Sequence, residues 1–126
     1  MRDFRRLKVW QRSHKLSLRV DALIRRFPRR GYARLKDQLS GAADSIPSNI
    51  VEGSAAATEL EFARFLDISI KSTSETEYHV LSAYDKGLIP RTEHDYLIDE
   101  ISQIRRMLYW LRQKILRDLR NKGEDV

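Results

Sequence analysis

Apolar residues recur along the chain at the three- and four-residue steps of an amphipathic helix. In the first such segment, from about Arg6 to Phe27, the apolar stripe advances by steps of 7, 4, 3 and 4 residues. Pro28 disfavours a helical conformation at the residue before it, and Gly31 permits a turn. The pattern therefore predicts a first helix with a buried face formed by Val9, Leu16, Val20, Leu23 and Phe27.

A second stripe begins near Tyr32 or Ala33 and advances by steps of 4, 3, 4, 3 and 4 residues. A loop has no reason to keep this rhythm, yet the stripe continues on both sides of Pro47. We therefore predict one helix that is kinked at Pro47 and ends near Gly53. The stripe comprises Leu35, Leu39, Ala42, Ile46, Asn49 and Gly53.

The stretch SIPSNIVEG, residues 45–53, surrounds this proline with hydroxyl, amide and carboxylate side chains. Pro47 has no amide hydrogen, so the carbonyl of Ala43 loses its helical partner. We expect the hydroxyls of Ser45 and Ser48 to bond nearby carbonyls. Asn49 lies on the apolar stripe, and we expect it to be buried with hydrogen-bond partners. The residues predicted to form this structural motif are Ser45, Pro47, Ser48, Asn49, Glu52 and Gly53.

Capping signals predict two further helices. The third opens at Thr58, because Glu61 follows three residues later, and it ends at Gly87, which suits a left-handed cap. The fourth opens at Thr92, with Asp95 at the same spacing. The apolar face of the third comprises Phe62, Phe65, Leu66, Val80, Leu81 and Tyr84. The stripe of the fourth comprises Leu97, Ile101, Ile104, Leu108, Leu111, Ile115 and Leu119.

Short links between these segments make consecutive helices antiparallel neighbours. No segment shows the sustained alternation of a strand. The predicted fold is all-α, an antiparallel up-down-up-down four-helix bundle in a single domain spanning residues 1–126. We expect frayed ends at about residues 1–5 and 120–126.

Small residues at 40–45 predict a close approach between the second and third helices. Folding the third helix back from a short turn places Gly41 roughly opposite Ser69. The third helix is rich in hydroxyl groups from Ser69 to Thr76. We therefore predict a hydrogen-bonded layer in the middle of the bundle.

Composition narrows the classes of function. The 126 residues include no cysteine, which excludes disulfides and thiolate metal sites. There is no apolar run near membrane-spanning length and no signal-peptide pattern, so we expect a cytoplasmic protein without a membrane partner.

The net charge is +6. Residues 1–36 carry 13 Lys/Arg against 2 Asp/Glu, whereas the remaining residues have an acidic balance.

This asymmetry indicates a surface that faces a polyanion, and the simpler alternative is a solvated basic helix face. One group of cations surrounds the turn after the first helix, and we predict that it binds nucleic acid. It comprises Arg25, Arg26, Arg29, Arg30, Arg34 and Lys36. A second group lies at the opposite end of the first helix and comprises Arg2, Arg5, Arg6, Lys8 and Arg12. Tyr32 and Trp10 accompany the two groups as aromatic side chains that can stack on bases, although we expect Trp10 to be partly buried at a subunit contact.

Candidate catalytic chemistry is weak. The three histidines fall on different helices without a metal-ligand spacing, so surface histidines are expected. Glu75 and Glu77 are two residues apart on a helix and point in nearly opposite directions, which prevents joint action on one atom. We expect one of them to face the bundle and to pair with Arg105 or Arg106. The sequence predicts no catalytic, cofactor or metal site, and hence no enzyme.

Residues 4–116 resemble the four-helix bundle proteins called 23S rRNA intervening-sequence proteins. The most specific matches are Ile46-Pro47-Ser48-Asn49 and Glu52-Gly53, and weaker ones are Trp10, Phe27-Pro28, Ser72, Glu75 and Glu77. Thr73 and Thr76 depart from this pattern, because aliphatic residues are usual there. The resemblance implies a homopentamer. It also implies a similarity in fold to the accessory protein of diversity-generating retroelements, a basic pentamer that binds nucleic acid and a reverse transcriptase.

Two functions remain open from the sequence. The first is a non-enzymatic oligomer that binds RNA or DNA through phosphate contacts, without strong sequence specificity. The alternative is a protein-interaction scaffold, a ring-shaped oligomer that docks a partner polypeptide. The expected partners are therefore further copies of the chain, RNA or DNA, or another protein.

Overall fold

Four α-helices account for most of residues 2–123, the part of the chain that the computed structural model describes. This range contains no strand, which confirms the predicted all-α four-helix fold. Residue 1 and residues 124–126, part of the predicted frayed ends, lie outside the described residues. The elements are a 3-10 turn at Phe4–Arg6 and the helices α1 (Lys8–Ile24), α2 (Ala33–Ser54), α3 (Glu59–Asp85) and α4 (Arg91–Asn121).

Each helix contacts the next along the chain, and α1 also contacts α4. The ion pairs between α1 and α4 join Arg12 to Glu100 and Arg19 to Glu93, so residue numbers rise in one helix as they fall in the other. The contacts between α2 and α3 run in the same sense. This register is the one expected of an up-down-up-down bundle.

The apolar stripes predicted for α1 and α4 are entirely buried. In α2, five of the six stripe positions are buried and Asn49 is half-buried. The face predicted for α3 was partly wrong, because Leu81 is 43% exposed. It lies at the edge of a groove between α3 and α4, beside Tyr78 and Ile98. The core gains six residues that the stripes did not include, namely Ala43, Ile50, Ala63, Ile70, Ala83 and Ile89.

Two of the predicted helix ends are confirmed. The hydroxyl of Thr58 accepts a hydrogen bond from the Glu61 amide at 3.1 Å, as in a capping box. Gly87 adopts a left-handed φ of 76°. Beside it, the amide of Leu88 donates to the carbonyl of Ala83 at 2.9 Å, which satisfies one of the last carbonyls of α3.

The predicted start of α4 at Thr92 was wrong. The helix begins at Arg91, and the residue in the capping position is Pro90, which offers no side-chain cap. Its carbonyl nevertheless accepts the His94 amide at 3.1 Å and so starts the helical ladder. Pro90 has the extended backbone typical of a capping residue, with φ of −74° and ψ of 159°.

α2 is continuous through Pro47, and the kink there stays a prediction. The predicted layer of hydrogen bonds between α2 and α3 is present. The hydroxyl of Ser69 donates to the carbonyl of Ile46 at 2.9 Å, and the hydroxyl of Ser72 donates to that of Ser45 at 2.8 Å. Side chains this short bring the two helices close together.

The placement of Gly41 opposite Ser69 was wrong. Ser69 pairs with Ile46, five residues further along α2, and a Cβ added at Gly41 would meet no neighbouring atom within 4 Å. The close approach lies instead at Gly53. A Cβ there would stand 2.6 Å from Cδ1 of Phe62 and 2.9 Å from Cβ of Phe65. α2 and α3 therefore pack tightly at the end where the chain turns between them.

We predict opposite effects for alanine at these two glycines. Gly53→Ala forces Phe62 or the α3 backbone to move, so the free energy of unfolding should fall by about 1–3 kcal/mol. Gly41→Ala adds a methyl group at an exposed helical position and should raise it by about 0.5–1 kcal/mol. Urea unfolding followed by circular dichroism measures both. A neutral effect at Gly53 would contradict the close contact.

Candidate functional site

The side chains around Pro47 converge on Ser45. The amide of Asn49 donates to the Ser45 carbonyl at 2.8 Å and to its hydroxyl at 3.0 Å, and the Ser48 hydroxyl reaches the same carbonyl at 3.3 Å. Because the hydroxyl of Ser72 also bonds Ser45, this network connects α2 to α3. Asn49 thus finds its direct partners in its own helix, and the link to α3 passes through Ser45.

The rest of the motif has packing roles or faces solvent. Pro47 is buried, Gly53 packs against Phe62, and Glu52 is exposed. Of the six predicted motif residues, Ser45 and Gly53 contact α3 directly, Asn49 and Ser48 bond Ser45 within α2, and Pro47 is buried. Glu52 has no such contact in the part of the chain that the structure describes.

Glu75 and Glu77 have different environments. Glu77 is half-buried and accepts a hydrogen bond from Nη2 of Arg105 at 2.6 Å. Nε of Arg105 donates to the hydroxyl of Thr73 at 3.0 Å, so Thr73, which stands where an aliphatic residue is usual, helps hold the guanidinium. Glu75 is exposed, and Arg106 bonds Ser102 at 3.4 Å instead. The ion pair expected for one of the two glutamates therefore forms at Glu77.

The cations around the α1–α2 turn form one largely exposed group, which we call the turn cluster. Within residues 2–123, none of its members has a carboxylate at ion-pair distance, although Nζ of Lys36 donates to the carbonyl of Pro28 at 2.7 Å. Five arginines are consequently left to interact with solvent or a ligand. The turn cluster consists of Arg25, Arg26, Arg29, Arg30, Arg34 and Lys36.

Tyr32 lies within this cluster, directly before α2. It has a left-handed φ of 59°, which is uncommon for a residue other than glycine, and its side chain is 40% exposed. The preceding Gly31 also has a positive φ, of 86°. These two conformations together reverse the chain and leave the aromatic ring at the surface among the arginines.

The second basic group, at the start of the chain, is partly neutralised. Arg2 pairs with Glu59, and Arg12 forms two hydrogen bonds with Glu100 at 2.9 and 2.8 Å. Trp10 is half-buried and stacks on the ring of His14 with a centroid distance of 4.8 Å. Its ring is thus engaged within its own chain.

Two further cations lie at the end of the bundle where the turn cluster is found. The sequence pattern did not reveal them, because the antiparallel fold brings them there. Glu93 in the first turn of α4 contacts Arg19 of α1, so the α3–α4 turn lies at this end. Lys86 lies in that turn, and Arg91 is the first residue of α4, where it lies 3.6 Å from Asp95. The signal available in the sequence was topological: in an up-down bundle, the first and third turns share one end.

The carboxylate of Glu93 is bound to Arg19 of α1, and the only member of the turn cluster whose charge lowers the pKa of Glu93 is Arg26. Two hydrogen bonds of 2.8 and 2.9 Å join Glu93 and Arg19. The hydrogen bond from Arg19 lowers the pKa of Glu93 against the opposing effect of burial, and the charges of Arg19 and Arg26 lower it further. The same hydrogen bond raises the pKa of Arg19. Glu93 is therefore anionic at neutral pH and occupied within the protein.

Neither a metal centre nor a membrane span is evident in the described range. Among residues 2–123, no three His, Cys, Asp or Glu side chains come together as a possible metal site. His94 instead lies 2.9 Å from the carboxylate of Asp95. No helix in this range combines the length and the apolar character needed to cross a bilayer.

The fold and this site define a four-helix bundle with a cluster of cations at one end that have no carboxylate partner within residues 2–123. The model of the family described as 23S rRNA-intervening sequence protein matches residues 5–110, and the chain belongs to that family. A search of curated proteins found no significant match.

A similar solved structure is that of a protein of unknown function from the S23 ribosomal protein family of Bacteroides thetaiotaomicron. It has a TM-score of 0.78 and 21% sequence identity, and the match covers 83% of this chain and 95% of that chain. At this level of identity the likeness shows the fold.

We predict that Glu77→Gln destabilises the protein, whereas Glu75→Gln does not. Removing the charge leaves the guanidinium of Arg105 without its carboxylate, and partial exposure of both side chains limits the loss to about 1 kcal/mol. Glu75→Gln should stay within about 0.5 kcal/mol of the parent protein. Urea unfolding at low and high salt tests this, since salt should reduce the difference between the variants. Equal effects of the two substitutions would refute the role of the pair.

Proposed function

We propose that this protein is a non-enzymatic, oligomeric four-helix bundle that binds RNA or DNA through phosphate contacts at the turn cluster. The proposal rests on a difference in ion pairing between two sets of arginines in this chain. Those on the faces between helices, such as Arg12, Arg19 and Arg105, are paired with carboxylates. The five arginines of the turn cluster have no such partner within the described residues.

Arginine suits a phosphate ligand, because its planar guanidinium donates two parallel hydrogen bonds to phosphate oxygens. Exposed Tyr32 adds a ring on which an unpaired base can stack. The hydrogen bond from Nζ of Lys36 to the Pro28 carbonyl connects the two sides of the turn. The site thus offers phosphate binding and stacking, without a group arranged to read base edges in a groove.

Oligomerisation would strengthen this interaction. The resemblance of the chain to its family implies a homopentamer, and a ring repeats the turn cluster around one axis. The combined positive charge of the repeated clusters would raise the local concentration of a polyanion and its rate of association. Because the family name refers to intervening sequences of 23S rRNA, a fragment of structured ribosomal RNA is the natural first ligand to test.

We predict that the protein binds structured RNA with an affinity that rises steeply as salt falls. Arg29→Glu combined with Arg30→Glu should weaken binding at least about tenfold and lower the slope of log affinity against log salt by about two. The matched control combines Arg5→Glu with Arg117→Glu, the same change in charge at exposed residues near the other end. Fluorescence anisotropy with a labelled RNA measures all three proteins.

Two results would exclude this function. The first is an absence of binding at low salt, because phosphate contacts are strongest there. The second is an equal loss of affinity in the control variant, which would assign the effect to net charge and not to the turn cluster. Tyr32→Leu adds a further comparison, since loss of stacking should weaken single-stranded RNA more than duplex RNA.

A protein-interaction scaffold is the second candidate, and it is favoured by aromatic side chains on the outer surfaces of α3 and α4. Tyr78 is 64% exposed, Tyr109 is 49% exposed and Trp110 is 62% exposed. Tyr78 and Leu81 line a groove of about 290 Å³ between the two helices. Aromatic residues are enriched in protein interfaces, so this surface suits another polypeptide.

We expect a pentamer in solution, with a mass of about 74 kDa from five chains of 14.8 kDa. If α3 and α4 supply the contacts, Tyr78→Ser combined with Leu81→Ser should lower this mass. Arg29→Glu combined with Arg30→Glu should leave it unchanged. Light scattering after size-exclusion chromatography gives the mass of each variant. A monomer of the parent protein at micromolar concentration would exclude the ring and leave nucleic-acid binding to be judged separately.

A further inference from the structure

A groove of about 460 Å³ lies between the first residues of α1 and the middle of α4. Its walls are almost wholly apolar and are formed by Leu7, Val9, Met107, Trp110 and Leu111. The volume lies within the range of about 300–1,000 Å³ that is typical of small-molecule sites. Leu111 and Val9 belong to the core, whereas Trp110 is 62% exposed, so the groove runs from the core to the surface.

The groove has a positive rim. Arg6, Lys8 and Arg106 also line it, and no carboxylate does. In the described part of the chain none of these three cations has an acidic partner within ion-pair distance. This contrasts with Arg12 and Arg112 on the same two helices, which pair with Glu100 and Asp67. The rim therefore offers charge for an external anion.

Local features keep the apolar wall in place. Leu7 occupies the capping position of α1, where a polar side chain is preferred, and it makes no side-chain cap bond. Its side chain is half-buried and packs against the core. The sulfur of Met107 lies 3.5 Å from Nη1 of Arg12, whose guanidinium is fixed by Glu100. Met is unbranched and adapts its shape, which suits the wall of a binding site.

We propose that this groove binds a small amphiphilic carboxylate, with its aromatic or alkyl body against the apolar wall and its head group at the cationic rim. The stretch of α4 that lines the groove is short, which favours a small molecule over a docked helix. Residues 106–111 of α4 span about 7.5 Å along the helix axis, less than the roughly 10 Å that an i to i+7 stripe of a partner helix occupies. The proposal does not rest on nucleic-acid binding, because its residues lie outside the turn cluster.

The test uses naphthalene-2-carboxylate and its uncharged analogue naphthalene-2-methanol, which share one apolar body. Titration of the full chain, followed by amide chemical shifts in two-dimensional NMR, should place the carboxylate against residues 6–9 and 106–111. The carboxylate should bind about tenfold more tightly than the alcohol, because only the carboxylate pairs with the rim. Equal affinity of the two compounds would overturn the role of the rim.

Variants at exposed positions separate the wall from the rim. Trp110→Ala should weaken the carboxylate about tenfold, whereas Tyr109→Ala, another exposed aromatic residue outside the groove, should leave it unchanged. The triple variant Arg6→Gln, Lys8→Gln and Arg106→Gln should abolish the preference for the carboxylate over the alcohol. A preference that survives the triple variant would overturn the proposal.

Two further results would refute the site. One is the absence of any chemical-shift change at residues 6–9 and 106–111 with about 1 mM carboxylate. A dissociation constant well above this concentration would mean that the groove is not a specific site for the carboxylate. The other is that the carboxylate binds only the dissociated chains, while in an oligomer the amides of the groove are protected from hydrogen exchange. That result would assign the groove to contact between copies of the protein.

Discussion

Close packing of α2 against α3 is the constraint on which the other contacts of the bundle depend. At one end of this interface Gly53 leaves room for the ring of Phe62. Two helical turns away, Ser69 donates to the Ile46 carbonyl and Ser72 to the Ser45 hydroxyl. Each of these contacts needs a short distance between the helices, and each fails if α3 slides by one residue. These contacts therefore fix the axial position of α3, and with it the register of α3 against α4.

The same register explains how the charges divide. A cation on a helix face lies within reach of the neighbouring helix, and there Arg19, Arg105 and Arg112 find carboxylates on the adjacent helix of the bundle. A turn projects beyond the helices and has no neighbour of this kind. These three arginines are thus paired between the helices, whereas the arginines of the α1–α2 turn have no carboxylate partner within residues 2–123. A surface of this kind suits a large anion, because binding displaces counterions and breaks no ion pair within the protein.

Sequence and structure agree best where a prediction depended on local chemistry. The stripes of α1 and α4, the Thr58 cap and the left-handed Gly87 follow from spacing within a few residues. The prediction for Gly41 failed because the position of Gly41 relative to α3 depends on where the α2–α3 turn ends, which is a detail beyond that range. The prediction for Thr92 failed within that range, because Pro90, two residues earlier, takes the capping position.

The sequence by itself determined the number of helices, most of their buried faces, the continuity of α2 through Pro47 and the basic character of the α1–α2 turn. Helical periodicity is a local property, so a single chain displays it before it folds. Only the tertiary structure decided that Glu77 pairs with Arg105, that Gly53 is the point of close approach and that a groove opens beside Trp110. These outcomes depend on distances between residues far apart in the chain, which are settled only when the helices pack.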